Sequence, residues 1–583
     1  MEAEEQQKVK RPDRLKQLNL NKSTNEKVIK CSLQGILIEK KLYCEIQQWV
    51  HTISKVTNKA SLLFNRIILH CLNNELPLPN LSDQTFYMHC FNIGVGRLNK
   101  SSPYVKEIWD SCFSQFPKID KCRGDTPAYA YAVKTFMTNF KNSIIYTFDG
   151  RQKAYIYKWC SINNIDTKHF YAIRSAINGW GCKTEPPKEI IEFINQQKSI
   201  LGRVELDGGI TLTWLGTHIN EVLNYYYFIL KYMEQFDDTS KFTLAPITRI
   251  KCHHITIDTT VLHNMMINLE LIDSKKLHIN DFMSVRDTQF QSVFNLNKIP
   301  NKGTFSYNIE TDGVSCSIHF KVPKKDEKPI SNKVLKKNDR IISIDPGRSN
   351  LVYGVEKLQD NTYKTYKLTR GEYYTNAGMK TANRKSAKWE KDIHNEELIY
   401  RRHSLKTTSE TEWDKFIADY ISVYDTIWNT KLEKKWGRER FRVYCLKRKT
   451  LDTFFQQMNG DIKPIIAYGA AKFNPNSKHE LSAPTTYVSK CCMKHYSTIF
   501  VDEYNTTKIC SCCDKALHPV MKDKKQIRGL RWCSSTNCRT FLNRDMNAAK
   551  NILRAFIGNN NRPQSLSRNS DIVKVKLKSL ILY

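Results

Sequence analysis

The sequence predicts a multidomain protein, α+β in its first half and α/β in its second, and three observations carry that expectation. An apolar run, IISID, ends in Asp345 and is followed by a Pro-Gly turn and a second apolar run, LVYGV. A later run, STIFVDE, ends in Asp502 and Glu503. Between it and the helix-forming segment NRDMNAAKNI, which holds Asp545, lies the array Cys510-x2-Cys513-x19-Cys533-x4-Cys538. The 583 residues are enough for roughly two to four domains, and 40% hydrophobic content supplies their cores.

Residues 1–28 are polar, charged and poor in aromatics, and read as a disordered tail, because such a composition buries too little apolar surface to offset the entropy of ordering. The tail carries a short basic run, KVKR at 8–11, of the kind that serves nuclear import. It has no apolar core of a secretory signal, which places the 18 cysteines in a reducing compartment. Over 29–327, short strands (CSLQGILIE, TRIKCHHITID, VSCSIHFKV) alternate with amphipathic helices, the clearest at 45–73 and 215–235. A lysine-rich stretch, 328–339, reads as a linker.

The α/β domain begins at Arg340 and runs to about 556. Strands are expected at 340–345, in LVYGV, at 362–368, in KPIIAYG and in YSTIFVDE. A helix over about 437–459 carries Phe441, Tyr444, Leu451, Phe455 and Met458 on one stripe, the spacing of a core-facing helix. Lys431, Lys434, Lys435, Arg438, Arg440, Arg442, Lys447, Arg448 and Lys449, against Glu433 and Glu439, mark this region as a solvated basic face or a phosphate contact. Residues 557–583 form a carboxy-terminal tail, rich in Asn and Ser before an alternating end.

A formal net charge of +33 calls for a polyanionic partner. Nucleic acid fits. A membrane does not, since there is no stretch of about 18 uninterrupted apolar residues and no apolar anchor beside a basic run.

The cysteine array has the spacing of a zinc ribbon, in which two knuckles place four thiolates around one structural Zn2+. Cys510, Cys513, Cys533 and Cys538 are the expected ligands, with Cys512 and His518 as spares. Four thiolates leave no open position for a catalytic water. The carboxylates suit a different metal. Two Mg2+ ions hydrolyse a phosphodiester when carboxylates converge on them from separate elements. Asp345, at the end of an apolar strand, is costly there unless paired or on a metal. Alternation along STIFVDE sets Glu503 with Ile499 and Val501, and Asp502 with Phe500, and leaves either acid able to face Asp345. Asp545, at a helix start, reads as a ligand or as a cap.

Taken together, DPG, DEYNTTKICSCC, the second cysteine pair and NRDMNAAKNI resemble the TnpB-like RNA-guided nucleases, and most closely their eukaryotic and viral relatives, the Fanzor proteins, over residues 340–556. The resemblance implies an RNase H-like, RuvC-type nuclease domain with the zinc ribbon at 504–542 inside it, and with Asp345, Glu503 and Asp545 as catalytic acids on magnesium. It also implies a small β-barrel-like wedge domain and a helical recognition domain over 29–327, gripping a guide RNA paired with double-stranded target DNA once that is opened. A nuclear location, or a site of viral DNA replication, follows mainly from the same resemblance, and a monomeric state is expected. The chain departs from the bacterial pattern at the middle acid, where Ala467 and Tyr468 stand in place of a glutamate. The displaced Glu503 takes that role, with Asp502 and Glu480 in reserve. The implied activity is metal-dependent endonucleolytic cleavage of DNA; the alternatives are a transposase-like DNA strand transferase and a non-catalytic nucleic-acid-binding protein.

Overall fold

In this computed structural model the described residues are 26–582 except 98–102, 121, 182–183, 203–208, 274, 301–302, 323–338, 472, 474–482, 524, 559–560 and 569–579. Nearly all of the expected 1–28 tail, the KVKR run and the 328–339 linker lie outside them. The chain divides into two compact units, Met1–Lys324 with Lys388–Arg438, and Lys325–Ala387 with Glu439–Tyr583. Residues 388–438, expected within the 340–556 segment, thus fall in the first unit.

The first unit has an antiparallel sheet of β1 (Glu26–Ser32), β2 (Ile255–Ile257), β3 (Thr304–Thr311) and β4 (Ser315–Lys321), in the order β1-β4-β3-β2. Cys316, Ile318 and Phe320 alternate into the core from β4. Asp312 and Gly313 turn the chain between β3 and β4, with Asp312 Oδ1 accepting from the Ser315 N–H at 2.9 Å. Gly313 has φ 82° and faces the Gln47 amide, so a side chain there would be both strained and blocked. The expected first strand is instead β1 followed by a helical turn, Leu33–Ile36. Only Ile255–Ile257 of TRIKCHHITID is a strand. β3 has weak alternation and was not anticipated.

The helices Lys41–Asn73 and Ile219–Glu234 match the expected amphipathic segments, and the longest, Thr126–Ile162, has 37 residues. The middle of Lys41–Asn73 is buried on all sides, so its polar side chains need partners. Asn58 donates to the Thr248 carbonyl at 2.6 Å and accepts from the Tyr420 hydroxyl at 2.8 Å. Arg66 binds Asp414 and Glu410. Those two acids belong to the helix Glu410–Leu432, capped by Ser409, whose stripe of Trp413, Phe416, Ile417, Tyr420, Tyr424 and Trp428 is buried in the same core. That stripe draws residues 388–438 into the first unit.

The second unit is built on β5 (Ile341–Asp345), β6 (Asn350–Lys357), β7 (Tyr363–Thr369), β8 (Ile465–Gly469) and β9 (Ser497–Val501), in the order β7-β6-β5-β8-β9. β5, β6 and β7 form an antiparallel meander, whereas β8 runs parallel to β5 and β9 parallel to β8. One face, with Ile342, Ile344, Ile466 and Tyr468, packs on Leu451, Phe455 and Met458 and on Val488 and Cys492 of the helix Thr485–His495. Phe441 and Tyr444, expected on the same core stripe, are half-buried and stack on each other with centroids 6.3 Å apart. The opposite face carries small residues, Ser343 and Ala467, beneath the helix Arg544–Gly558. A second sheet, β12-β11-β10-β13, comprises β10 (His518–Lys522), β11 (Lys525–Cys533), β12 (Thr540–Asn543) and β13 (Leu580–Leu582), which brings the end of the expected tail back against β10. No helix among the described residues is long and apolar enough to cross a membrane.

Replacing Arg66 with Met should destabilise the first unit by about 2–3 kcal/mol, because Glu410 and Asp414 lose their cation, the loss being moderated by their partial exposure. Chemical denaturation compared with the wild type measures it, and an unchanged midpoint would remove this pair from the docking of Glu410–Leu432.

Candidate active site and metal centre

Asp345 is the last residue of β5 and is 7% exposed. Strand alternation turns it to the same face as Ser343, the face that the helix Arg544–Gly558 covers. Because β5, β8 and β9 run parallel, their carboxyl ends share one edge of the sheet. Glu503 lies two residues past β9 at that edge, and Asp545 is the second residue of the covering helix. The helix approaches closely because Ser343, Ala467, Ala548 and Ala549 are small, and the Ser343 hydroxyl donates to the Ala549 carbonyl at 2.7 Å.

Each of the two partner acids has a specific holder. Asn350, at the start of β6, donates from Nδ2 to Asp545 Oδ2 at 2.6 Å. The capping role at this helix falls to Asn543, whose Oδ1 accepts from the backbone N–H groups of Asp545 and Met546 at 3.1 and 3.0 Å. The Asp545 carboxylate is therefore not spent on the helix terminus. Glu503 Oε1 accepts from the Ala471 N–H at 3.0 Å, which folds its side chain over the end of β8. A Cβ on Gly469 would collide with that carboxylate and come within 2.8 Å of Pro346. Thus β8 contributes no acid of its own at Ala467 and Tyr468, and its terminal glycine leaves room for Glu503.

The same geometry separates Glu503 from its neighbour. Asp502 forms a two-pronged pair with Arg568 at 2.9 and 3.0 Å, and its carbonyl accepts from Arg562 at 2.7 Å. Arg568 thus occupies the Asp502 carboxylate, whereas Arg562 holds only its main chain. Glu480 lies outside the described residues.

Burial pushes the Asp345 carboxyl well above its ordinary range, and the charges of Glu503 and then Asp545 push it further, with Arg544 opposing. Burial likewise pushes Glu503 up to about 7, against the Ala471 N–H and helped by Asp502. Crowded carboxylates with this shortage of cations take up protons or a divalent cation. Hard oxygen donors of this kind suit Mg2+. The three do not all converge within 4.8 Å, as the four cysteines do. Two ions about 3.5–4 Å apart do not require it, since the outer carboxylates then serve different ions.

The Sγ atoms of Cys510, Cys513, Cys533 and Cys538 all lie within 4.8 Å of one another, with Cys510 to Cys538 at 3.7 Å and Cys513 to Cys533 at 3.4 Å. A tetrahedron with Zn–S bonds of about 2.3 Å has edges of about 3.8 Å, so the set can hold a structural metal such as zinc. None of the four is in a disulfide. The first knuckle turns through Asp514, at φ 59°, with the Cys510 N–H on the Lys515 carbonyl at 2.8 Å. The second turns back through Ser535, whose carbonyl accepts from Cys538 and Arg539 at 2.9 Å each. Cys512 is exposed, and His518 contacts Ser534 Oγ at 2.9 Å rather than joining the cluster.

A connection that sequence reasoning missed joins this centre to the acids. Asn547 and Asn551, on the covering helix, both donate to the carbonyls of Thr506 and Ile509 at 2.8–3.1 Å, and Asn547 Oδ1 accepts from the Ser511 N–H at 2.8 Å. Both asparagines are buried. Two amides one helical turn apart in an otherwise small and apolar face were the available signal. The basic run is partly consumed within the protein: Lys431 pairs with Glu390 and Glu397, Lys435 with Glu433, and Arg442 with Glu439. Lys447 and Lys449 have no such partner among the described residues.

Protonation favours the fold wherever a carboxyl titrates higher in the folded than in the unfolded chain. Magnesium-free, zinc-loaded protein should therefore lose stability as pH rises from the ordinary carboxyl range through about 7, where Glu503 ionises. Thermal melts across this window should show the decline and a flatter profile in Glu503→Gln; an equal slope in that variant would contradict the burial of Glu503. Replacing Cys533 with Ser should lower bound zinc and the melting temperature together, and unchanged zinc on elemental analysis would strike Cys533 from the ligands.

Residues 486–552 match the family model described as Cas12f1-like, TNB domain. The matched segment spans Glu503, the four cysteines and Asp545. Residues 255–322, from β2 to just past β4, match a second model, DUF8286, a domain of unknown function. No curated protein matches the chain. The first match thus shows a likeness to a Cas12f1-like TNB domain over residues 486–552, a small part of the 583-residue chain.

Proposed function

We propose that this protein is an RNA-guided DNA endonuclease of Fanzor type, hydrolysing DNA phosphodiesters with magnesium at Asp345, Glu503 and Asp545. The observation that carries the reading is the gathering of Asp345, Glu503 and Asp545 at the carboxyl edge of one sheet, where the charges of Glu503 and Asp545 act on Asp345. The strand order, third-second-first-fourth-fifth with only the second antiparallel to the rest, supports an RNase H-like, RuvC-type core. The Cas12f1-like match across Glu503, the cysteines and Asp545 supports the same family of activities.

Magnesium held by these acids would supply an activated water and neutralise the charge that builds on the scissile phosphate. The chain's own residues prepare the place. Asn350 fixes one oxygen of Asp545 and leaves the other free, and the Ala471 N–H does the same for Glu503. Burial of Asp345 keeps bulk water from the floor of the site. A guide RNA would be gripped by the strongly basic chain, whose net charge is +33, and would deliver sequence specificity through pairing with the opened target. The cysteine centre would hold structural zinc. A monomer acting in the nucleus, or where viral DNA replicates, completes the proposal.

The test is to purify the protein, sequence the RNA that accompanies it, and assay magnesium-dependent cutting of double-stranded DNA matching that RNA. Asp345→Ala and Asp545→Ala should each abolish cutting and leave RNA and DNA binding within about twofold, because binding rests on the basic surface. Cutting by either variant at the wild-type rate would refute the site.

A further inference from the structure

A cavity of about 510 Å³ lies within the first unit, between the helices Lys41–Asn73 and Thr126–Ile162 and the segment leading into β2. Its size falls in the range of small-ligand sites, about 300–1,000 Å³. Its lining is divided by chemistry. Ile53, Ala128, Phe136 and Ile255, each no more than 4% exposed, form an apolar floor. Arg249, Lys251, His253 and His254 come from one stretch of chain along another wall. Thr135, Asn139 and Thr256 add hydroxyl and amide groups, and Glu310 a carboxylate.

The stretch that carries Arg249 and Lys251 is held in place before any ligand arrives. Three polar side chains of Lys41–Asn73, all buried, pin it: Asn58 donates to the Thr248 carbonyl at 2.6 Å, Ser61 Oγ accepts from the Thr248 N–H at 3.1 Å, and Ser54 Oγ accepts from the His253 N–H at 2.8 Å. His253 Nε2 adds a 2.8 Å bond to the Arg249 carbonyl, which closes the stretch into a loop. On the other side the Tyr131 hydroxyl donates to Asp258 at 2.7 Å, which fixes the ring at the cavity wall. Buried amides and hydroxyls spent on irregular backbone rather than on helix or sheet give a pre-formed site.

We propose that this cavity binds a nucleoside 5′-monophosphate unit. The planar base lies on the apolar floor, the phosphate meets Arg249 and Lys251, and the ribose and base-edge groups meet the hydroxyls, the amide and Glu310. The unit is either a free nucleotide or one swung out of a bound strand, and the chemistry recognised is the same. This proposal concerns the first unit and stands apart from the cleavage reading; acid-to-alanine variants that fail to cut leave it untouched.

The test is calorimetric titration of the full chain, freed of nucleic acid, with AMP, CMP, GMP and UMP, with adenosine, and with inorganic phosphate. At least one monophosphate should bind saturably, and more tightly than phosphate or adenosine. Arg249→Gln, an exposed position, should weaken that monophosphate about tenfold while leaving the nucleoside nearly unchanged, as loss of a charge-assisted contact requires. Thr135→Trp, also exposed, fills the cavity mouth and should weaken both about tenfold. Absence of saturable binding by all four monophosphates, phosphate binding as tightly as they do, or neither variant altering affinity overturns the assignment. Repeating the titration with RNA-loaded protein separates the sources: lost binding shows that the strand supplies the unit, and retained binding shows a free nucleotide, each with the pocket assigned.

Discussion

A helix can lie close to a β-sheet only where both surfaces are nearly free of side-chain bulk, and in the second unit the arrangement of the acids follows from that condition. Ser343 and Ala467 on the sheet meet Ala548 and Ala549 on the helix Arg544–Gly558, and the Ser343 hydroxyl bonds to a helix carbonyl. The close approach sets Asp545 beside the end of β5, where Asp345 is held. A larger residue at Ala467 or Ala549 would lift the helix and separate the two carboxylates without touching either. The dependence extends further, because the buried amides of Asn547 and Asn551 reach from the same helix to the backbone just before the first cysteine knuckle.

Much of this was legible in the sequence because the decisive residues are chemically conspicuous. An aspartate closing an apolar strand, a four-cysteine array and an aspartate opening a helix announce themselves, and the four cysteines do gather as their spacing implies. The residues alone leave Asp502 and Glu503 open, and only the resemblance favours Glu503. Strand alternation assigns them to opposite faces but does not say which face matters, and the Arg568 that pairs with the Asp502 carboxylate lies some 66 residues away in a segment with no periodic pattern. Asn543 and Gly469 escaped notice for a similar reason: a cap and a steric vacancy acquire meaning only once a neighbouring carboxylate has a position.

The first unit was harder to read. Its strands are short, and β2 and β3 lack strong alternation, so segment boundaries drifted in TRIKCHHITID and β3 was missed. Helices were better placed, since a long apolar stripe survives small errors at the ends. A stripe reports that a face is buried without naming what buries it, which is why Glu410–Leu432 was assigned by its position along the chain rather than to the core it joins through Arg66, Asn58 and Tyr420. Asn58, Ser54 and Ser61, along the middle of Lys41–Asn73, satisfy irregular backbone at Thr248 and His253, a use that helical spacing does not reveal.

The cysteine element occupies a telling place along the chain. Glu503 stands just before its first knuckle, and Asp545 just after the strand that follows its second. The two carboxylates therefore flank one loop gathered by four cysteines, so that loop and the helix–sheet packing both bear on where they sit. If a metal holds those thiolates, a soft-metal scavenger, or mild oxidation of the sulfurs, would loosen the loop that both acids flank while leaving every carboxyl group chemically intact.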